Sequence, residues 1–404
     1  FFFHPQDGIR DPLWSRGLGD VYKRQLLNNI FLTILMLAVP SFSLAKNLCK
    51  SDCEQTYEII TDDLSYPWGL AFLDETRIVV SERSGSLKLI DGESIQNLET
   101  GLQISFSGQG GLLDIRKSPS YEQGQFLYLT YSKRKQGLST TALVRFKIES
   151  NRITNIEEIF EALPYVGSSI HYGSRITFDE SGHIFLTVGD RFNYTTASRI
   201  VDVFAADPQR LDNHLGKTIR LNLDGSIPKD NPFVGLSDAL PEIFTYGHRN
   251  PQGIYYNSDD SQVYVVDHGP KGGDEINQLI GGGNYGWPVV TYGKDYNNEK
   301  VGVGAQYLDM EPPLYYWDPS VAPSSLLIYN GENYPNWQSS WFVTTLREKT
   351  LLRFTKSGSK FVEERLYQNE FGRIRKIETS PAGDLFLLTD GSKGSLIKIL
   401  GKSC

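Results

Sequence analysis

A degenerate β unit recurs six times along the chain, and this repetition limits the possible folds more than any other feature of the sequence. Each copy contains an apolar alternating strand, a turn with Asp or Gly, a second apolar strand that ends in Ser, Thr or Asp, and a third strand. The copies follow one another at about 40 to 60 residues, a spacing typical of propeller blades. They occupy residues 69–90, 111–148, 176–191 with 216–225, 253–269 with 274–279, 325–354 and 374–399.

These repeats predict an all-β fold, a six-bladed β-propeller with one small sheet per blade around a central channel. A β-sandwich, or two in tandem, is the alternative, but its strands would follow one another at shorter and more even intervals. Because the copies are degenerate, the sequence determines the number of blades only to within one. In a propeller, the ends of the inner strands and their loops line one mouth of the channel, where we expect unusual polar residues to gather.

The N-terminal region has the pattern of an exported protein. Residues 26–45 form an apolar run that ends in Ser-Leu-Ala, small residues where signal peptidase needs them, so they predict a secretory signal peptide. A membrane anchor is the alternative, but Pro40 and two serines cut the run short of a span. We interpret residues 1–25 as a non-native flank, and residues 46–404 as a single propeller domain, periplasmic or secreted, without a membrane span.

Charge and cysteine content exclude two classes of protein. The formal net charge of −8 and the pI near 5.4 argue against a nucleic-acid partner. The three cysteines are too few for a disulfide-built scaffold. In an oxidising compartment Cys404 could pair with Cys49 or Cys53 and lock the ring. A local bridge between Cys49 and Cys53 is the alternative, and the sequence leaves both open.

Two short loops concentrate charged residues and glycines, and we expect the fold to present them around one pocket. They span residues 245–253 and 267–277. Arg249 offers a fixed fork of donors to an anionic oxygen. The pair Gly269-Pro270 leaves carbonyl oxygens exposed, and such oxygens are the ligands that calcium prefers.

His171 is a candidate general base, because a neutral imidazole near pH 7 commonly takes a proton from a hydroxyl. It stands just ahead of the first strand of the third copy, and Asp190 ends the following strand. A tight hairpin would bring the Asp190 carboxylate beside His171, where it would fix the tautomer and stabilise the imidazolium. The alternative is that His171 is a structural residue beside a glycine turn.

Two arginines near the end of the chain indicate either a bound anion or open solvent. Arg373 and Arg375 have period-two spacing, so both guanidinium groups leave the same side of a strand. Such a pair needs an anion between the charges or open solvent around them. The residues alone therefore predict a secreted propeller with a basic, calcium-compatible pocket that contains a histidine. This description leaves dehydrogenase, hydrolase and binding module open.

Seven sequence blocks resemble the soluble glucose/sorbosone dehydrogenase family, which depends on pyrroloquinoline quinone (PQQ), and look nearest to its periplasmic aldose sugar dehydrogenases. The blocks follow the family's order and cover essentially the whole mature chain. They are PWGLAF (67–72), GQGGLLDI (108–115), the segment around His171, YGHRNPQG (246–253), HGPKGGDEIN (268–277), GGNYGWP (282–288) and GRIRKI (372–377).

The resemblance implies a six-bladed propeller that binds PQQ and calcium and oxidises the C1 hydroxyl of aldose sugars to lactones. It implies that His171 takes the hydroxyl proton, that Asp190 supports His171, and that Arg249 stabilises negative charge on the quinone. An external acceptor (dye, quinone or cytochrome) would then take the electrons. It also assigns Asn250, Gln252, His268, Arg347, Arg373 and Arg375 to the cofactor, Gln109 and Trp317 to the sugar, and the carbonyls of Gly269 and Pro270 to calcium.

Three positions depart from the family pattern. Arg347 stands where the family often has Lys, which keeps the charge but replaces a point contact with a fork. His268 stands where glucose-specialised members carry Gln, and Ile170 replaces the acidic residue that precedes their base. With shorter loops, these differences favour a broad aldose specificity. Some members have a second calcium at a dimer interface, and the sequence leaves monomer and homodimer open.

Two other functions are alternatives. A calcium-dependent propeller lactonase or other hydrolase would activate water, and it would leave Arg373 and Arg375 without a partner. A non-catalytic ligand-binding propeller would use His171 and Arg249 only structurally. Substituting His171 would then change no activity.

Overall fold

The computed structural model of the chain describes residues 54–119, 125–193, 200–358 and 360–403. The expected flank, signal peptide and three cysteines lie outside these residues, so the interpretations placed on them stay predictions. Across the described ranges, no helix has both the length and the apolar character needed to cross a bilayer.

In these ranges, 24 strands form six four-stranded antiparallel sheets. The first two sheets contain β2 (Pro67–Phe72), β3 (Arg77–Glu82), β4 (Ser86–Asp91) and β5 (Ser94–Glu99), then β6 (Leu112–Lys117), β7 (Leu127–Lys135), β8 (Leu138–Glu149) and β9 (Arg152–Glu161). The third and fourth contain β10 (Ile176–Phe178), β11 (Ile184–Val188), β12 (Lys217–Leu221) and β13 (Ile243–Tyr246), then β14 (Pro251–Asn257), β15 (Gln262–Asp267), β16 (Asp274–Gln278) and β17 (Tyr315–Trp317).

The last two sheets complete the architecture. They contain β18 (Pro323–Tyr329), β19 (Ser340–Thr345), β20 (Leu351–Ser357) and β21 (Lys360–Leu366), then β22 (Ile374–Thr379), β23 (Leu385–Thr389), β24 (Gly394–Ser403) and β1 (Glu54–Leu64). Helical structure in the described residues amounts to α1 (Ile200–Phe204) and two 3₁₀ turns (Asp207–Gln209 and Pro335–Trp337).

The first strands of the six sheets contact one another in a closed cycle, which makes the sheets the blades of a propeller. The cycle runs from β2 through β6, β10, β14, β18 and β22 and returns to β2. The predicted six-bladed β-propeller is therefore confirmed. The repeat unit was too short by one strand, because each blade has a fourth strand beyond the three that the pattern showed.

The sixth blade is closed by the first described strand of the chain. β1 pairs antiparallel with β24, with Glu54 opposite Ser403 and Tyr57 opposite Ile399. Two strands that are far apart in the sequence, β1 and β24, therefore share one blade, and their pairing helps to hold the ring together.

The core consists of apolar layers between neighbouring blades. Leu89 of the first blade and Leu129 of the second lie in one such layer, and five further layers follow around the described ring. Because both faces of a middle strand are covered, β23 is buried along its whole length and reads as a continuous apolar run. The outermost strands β5 and β21 are exposed at most of their positions.

Candidate active site

A cavity of about 190 Å³ lies at one end of the channel, where the inner strands begin and the second strands end. Its apolar wall is the buried cluster of Trp68, Leu113 and Tyr172. Six of the predicted site residues line the cavity: Gln109, Asn250, Gln252, His268, Arg373 and Arg375. The structure adds Arg83 and Asp390 to the polar lining.

His171 and Asp190 form a buried pair beside this cavity, next to the lining residue Tyr172. His171 Nδ1 lies 2.7 Å from Asp190 Oδ1, so the predicted proximity of the two side chains is observed. The same carboxylate accepts the peptide N–H of Phe192 at 2.7 Å and the indole N–H of Trp287 at 2.8 Å. With both oxygens engaged, the carboxylate holds one ring orientation of His171.

The backbone of His171 is in the left-handed region, with φ of 54°. Its peptide N–H donates to Gln109 Oε1 at 2.8 Å. A Cβ on Gly189 would overlap the carbonyl oxygen of His171, so only glycine allows this close approach. The glycine between Val188 and Asp190 therefore lets the hairpin bring the carboxylate to the imidazole.

The electrostatic surroundings favour a neutral His171. Burial is the main cause that lowers its pKa below the usual 6.5, and the positive charge of Arg249 adds to this, whereas Asp190 opposes it. The net direction is downward, so the imidazole carries no charge at neutral pH and can accept a proton.

Asp267 shapes the loop that carries Arg249 and Asn250. Its carboxylate accepts the peptide N–H of Arg249 at 3.1 Å and that of Asn250 at 2.7 Å. The Arg249 guanidinium donates to the carbonyls of His268 at 3.2 Å and Gly269 at 2.7 Å. Its central carbon lies 5.2 Å from the ring centroid of Trp287. A buried cation is thus held beside the His171–Asp190 pair.

Arg373 and Arg375, whose period-two spacing left a shared anion or open solvent as alternatives, converge on one carboxylate. Arg373 Nη2 lies 3.0 Å from Asp390 Oδ2, and Arg375 Nη2 lies 2.9 Å from the same atom. Burial opposes ionisation of Asp390, but the charges of Arg375 and Arg373 outweigh it and lower its pKa. Arg375 Nη1 also donates to Gln252 Oε1 at 3.1 Å.

The cavity lining keeps an excess of positive charge in the described chain, because it contains three guanidinium groups and one carboxylate, that of Asp390. Arg83, the third of these groups, donates from Nε to the carbonyl of Gly110 at 3.0 Å. Among the described residues, the buried Nε of Arg375 has no hydrogen-bond partner. A buried donor of this kind is costly unless an acceptor reaches it, so the site suits an anionic ligand.

His268 serves as a neutral donor at the edge of the cavity. Burial lowers its pKa to about 3, so the ring is uncharged. Its Nε2 donates to the carbonyl oxygen of Pro323, which ties the loop of the fourth blade to the start of the fifth.

Seven predicted residues are not part of the cavity lining: His171, Asp190 and Arg249, described above, and Arg347, Trp317, Gly269 and Pro270. Arg347 is exposed and donates to the carbonyl of Ser320 at 3.0 Å. Trp317 lies on β17, the outermost strand of its blade, where its indole N–H donates to Glu363 Oε2 at 2.9 Å, so the geometry does not support its assigned contact with sugar. Gly269 accepts from Arg249, and Pro270 is buried beside it.

Three residues of the site were missed, although a sequence signal existed for two of them. Asp267 and Asp390 stand at the end of the second strand of their blades, as Asp190 does. A carboxylate at the end of the second strand in several repeats is therefore the sequence signal for Asp267 and Asp390. Arg83 follows the second strand of the first blade, and its contact with the neighbouring blade gives no local signal.

The chain is similar to known proteins over most of its length. A family model described as Glucose / Sorbosone dehydrogenase matches residues 64–398. The aldose sugar dehydrogenase YliI of Escherichia coli (strain K12) is 34% identical over 370 residues, which cover 89% of this chain and 97% of that protein. Quinoprotein glucose dehydrogenase B of Acinetobacter calcoaceticus is 26% identical over 410 residues, 82% of this chain and 85% of that protein.

A solved structure agrees with these matches. The soluble aldose sugar dehydrogenase (Asd) from Escherichia coli in the apo-form superposes with a TM-score of 0.80 at 34% identity, covering 86% of this chain and 99% of that chain. The fold and these matches thus define an oxidoreductase of the six-bladed propeller class. The chain belongs to the glucose/sorbosone dehydrogenase family.

Proposed function

We propose that this protein oxidises the C1 hydroxyl of aldose sugars to lactones, with PQQ as cofactor, calcium beside it and an external acceptor for the electrons. The observation that carries the proposal is the buried His171–Asp190 pair next to a cavity lined by arginines. Two relatives, one named an aldose sugar dehydrogenase and the other a quinoprotein, support the substrate class and the cofactor.

The polar lining fits a cofactor with three carboxylates. Arg373 and Arg375 provide charged donors, and the buried Nε of Arg375 offers an N–H that lacks an acceptor within the described residues. Asn250 and Gln252 add amide groups on the same side of the cavity. Bidentate recognition of carboxylates by arginine is strong and geometrically specific, so we assign these four residues to hold PQQ.

His171 is the base in this proposal. PQQ, when bound, supplies the quinone that takes up the hydride from C1. With Nδ1 directed at Asp190, the imidazole keeps its lone pair on Nε2, which accepts the proton of the C1 hydroxyl. The C1–H and O–H bonds break, the carbonyl bond of the lactone forms, and Asp190 stabilises the resulting imidazolium.

Arg249 supplies the cation that stabilises developing negative charge in the cavity. Its peptide N–H and guanidinium are both fixed by neighbouring groups, so little reorganisation is needed during the reaction. In the structure this guanidinium donates to the Gly269 carbonyl, which is one of the two oxygens assigned to calcium. A carbonyl oxygen has a second lone pair, so the Gly269 carbonyl would still have one free to hold calcium.

The substrate side of the proposal rests on Gln109, which lines the cavity and contacts the backbone of His171. Ile170 and His268 stand at positions that favour breadth among aldoses over strict use of glucose. The assignments of Arg347 to the cofactor and Trp317 to the sugar find no support in their positions. The exported location, the acceptor and the choice between monomer and homodimer also stay predictions.

Reconstitution of the purified protein with PQQ and calcium is expected to give dye reduction with glucose, galactose, xylose and maltose. Prior removal of metal with EDTA should weaken the response at least about tenfold, because hard oxygen ligands hold calcium next to the cofactor. Adding calcium should restore it, whereas magnesium, which demands octahedral geometry, serves as control. Absence of both dye reduction and a PQQ-induced absorbance change would refute the proposed chemistry.

The rate is expected to fall in acid along a limb whose apparent pKa lies below 6.5. Burial and Arg249 lower the pKa of His171, so the neutral base dominates at pH 7 and is lost only as the pH drops through that lowered value. The measurement is kcat/KM between pH 4 and 8 at saturating PQQ. A limb centred above pH 7 would contradict the assigned environment of His171.

A further inference from the structure

The side chain of Arg175 reaches the innermost strand of every other blade. Arg175 precedes β10 in the third blade and is 1% exposed. Its Nε donates to the carbonyl of Gln252 at 2.7 Å, and its Nη2 to those of Ser324 at 2.8 Å and Arg375 at 2.7 Å. These partners belong to the fourth, fifth and sixth blades.

The first and second blades are reached by the other terminal nitrogen. Arg175 Nη1 lies 3.0 Å from Asp114 Oδ1 in β6 and 3.4 Å from the carbonyl of Trp68 in β2. One guanidinium therefore links all six inner strands at the axis of the ring. A planar fork with five N–H donors suits this task, which the single ammonium of lysine could not perform.

Three of the residues that Arg175 contacts also line the cavity. Gln252 and Arg375, whose side chains bond each other, are each held through their peptide carbonyl. The third is Trp68, whose ring centroid lies 3.8 Å from the guanidinium carbon of Arg175. The stacked arrangement fixes the indole that forms part of the cavity wall.

Charges around Arg175 leave a positive excess in the channel. Lys376 Nζ lies 3.4 Å from Asp114 Oδ1 and 3.2 Å from Glu378 Oε2, and Arg116 also pairs with Glu378. In the described chain this axial cluster thus has three cations and two carboxylates. Burial opposes ionisation of Asp114, but the charges of Lys376 and Arg175 outweigh it and lower its pKa.

We propose that Arg175 is a positioning residue for the cofactor. It fixes the spacing of Gln252, Arg375 and Trp68 through backbone and ring contacts, and it contributes positive charge near an anionic ligand. This inference rests on the function proposed above, because the ligand in question is PQQ. A residue that acts only on the stability of the ring would not alter cofactor affinity in the folded protein.

The test compares Arg175→Met and Arg175→Lys with Lys217→Met. Lys217 is also fully buried, and its Nζ donates to the carbonyls of Asp207, Pro208 and Leu215 within the third blade, outside the cavity lining. PQQ affinity is measured by absorbance titration with calcium present, and Tm is measured without cofactor. The first variant is expected to weaken PQQ binding about tenfold or more. The lysine variant, which keeps the charge, should recover part of this loss.

The control variant Lys217→Met is expected to have a lower Tm than the parent, while its PQQ affinity stays within about twofold of the parent value. If Arg175→Met folds and binds PQQ as the parent does, the inference is overturned and Arg175 is only structural. If Arg175→Met does not fold, the PQQ affinity of Arg175→Lys is the test. An affinity equal to that of the parent would then overturn the inference. A parent that binds no PQQ would overturn the proposed function first, and this inference with it.

Discussion

Replacing His171 with alanine is expected to lower kcat by about 10²–10⁴-fold, the usual contribution of a positioned general base. The affinity for PQQ should change little, because the cofactor is assigned to Arg375, Gln252 and their neighbours. His171 is 4% exposed and its imidazole is held by Asp190, so its removal takes away the proton acceptor without removing a charged anchor. Stopped-flow reduction of bound PQQ by glucose measures this step directly.

His214→Ala is the matched control for this variant. His214 is 2% exposed, and its Nε2 lies 2.9 Å from Glu242 Oε1, so it is also a buried histidine paired with a carboxylate. It stands outside the cavity lining, and its loss should lower Tm with kcat nearly unchanged. Full activity in His171→Ala would reject the base, whereas lost PQQ binding would mean that His171 builds the cavity instead.

The fold could be predicted to the level of the blade because the middle strands of a blade are covered on both faces. Such strands are apolar along their length, as in β23, and they repeat at a regular interval. The fourth strands were invisible to this signal, because β5 and β21 are mostly exposed and polar. The closing role of β1 depends on pairing with β24, which no local pattern contains.

The site was predictable where neighbouring residues in sequence do one task. The spacing of Arg373 and Arg375 and the turn before Asp190 are local. The structure brings both arginines to Asp390 and brings Asp190 to His171. Arg175 was not singled out because its six-blade contact network exists only after the ring closes. Trp317 was assigned to the sugar, but it lies on an outermost strand. This position depends on the order of strands in the sheet, which the sequence near Trp317 does not contain.

Replacing Arg375 with methionine is expected to weaken PQQ binding about 10²-fold. A hydrogen bond to a charged group contributes about 1.5–3 kcal/mol, and this variant would lose the buried guanidinium that is assigned to a PQQ carboxylate. The Arg375 side chain is 8% exposed, and it also orients the Gln252 amide. Arg373 still pairs with Asp390 in this variant, so the carboxylate keeps a cation and folding should survive.

Arg373→Met is the matched control, since Arg373 stands two residues before Arg375 and also pairs with Asp390. The substitution therefore removes an equal charge from beside the same carboxylate. The Arg373 side chain is 47% exposed, so solvent screens its charge and the expected loss of affinity is only about threefold. PQQ titrations of both variants at 0.1 M and 1 M salt separate the two contributions. Screening at high salt should reduce the effect of Arg373 and leave most of that of Arg375.

The comparison also separates the proposed dehydrogenase from a calcium-dependent lactonase. A hydrolase needs no tricarboxylate ligand, so Arg375→Met would leave its turnover intact, and PQQ would not bind to either variant or to the parent. Equal losses of PQQ affinity in both variants, both removed by salt, would show a diffuse positive field instead of a built site. A large, salt-resistant loss confined to Arg375→Met is the result that a buried carboxylate anchor requires, because burial is what distinguishes these two arginines.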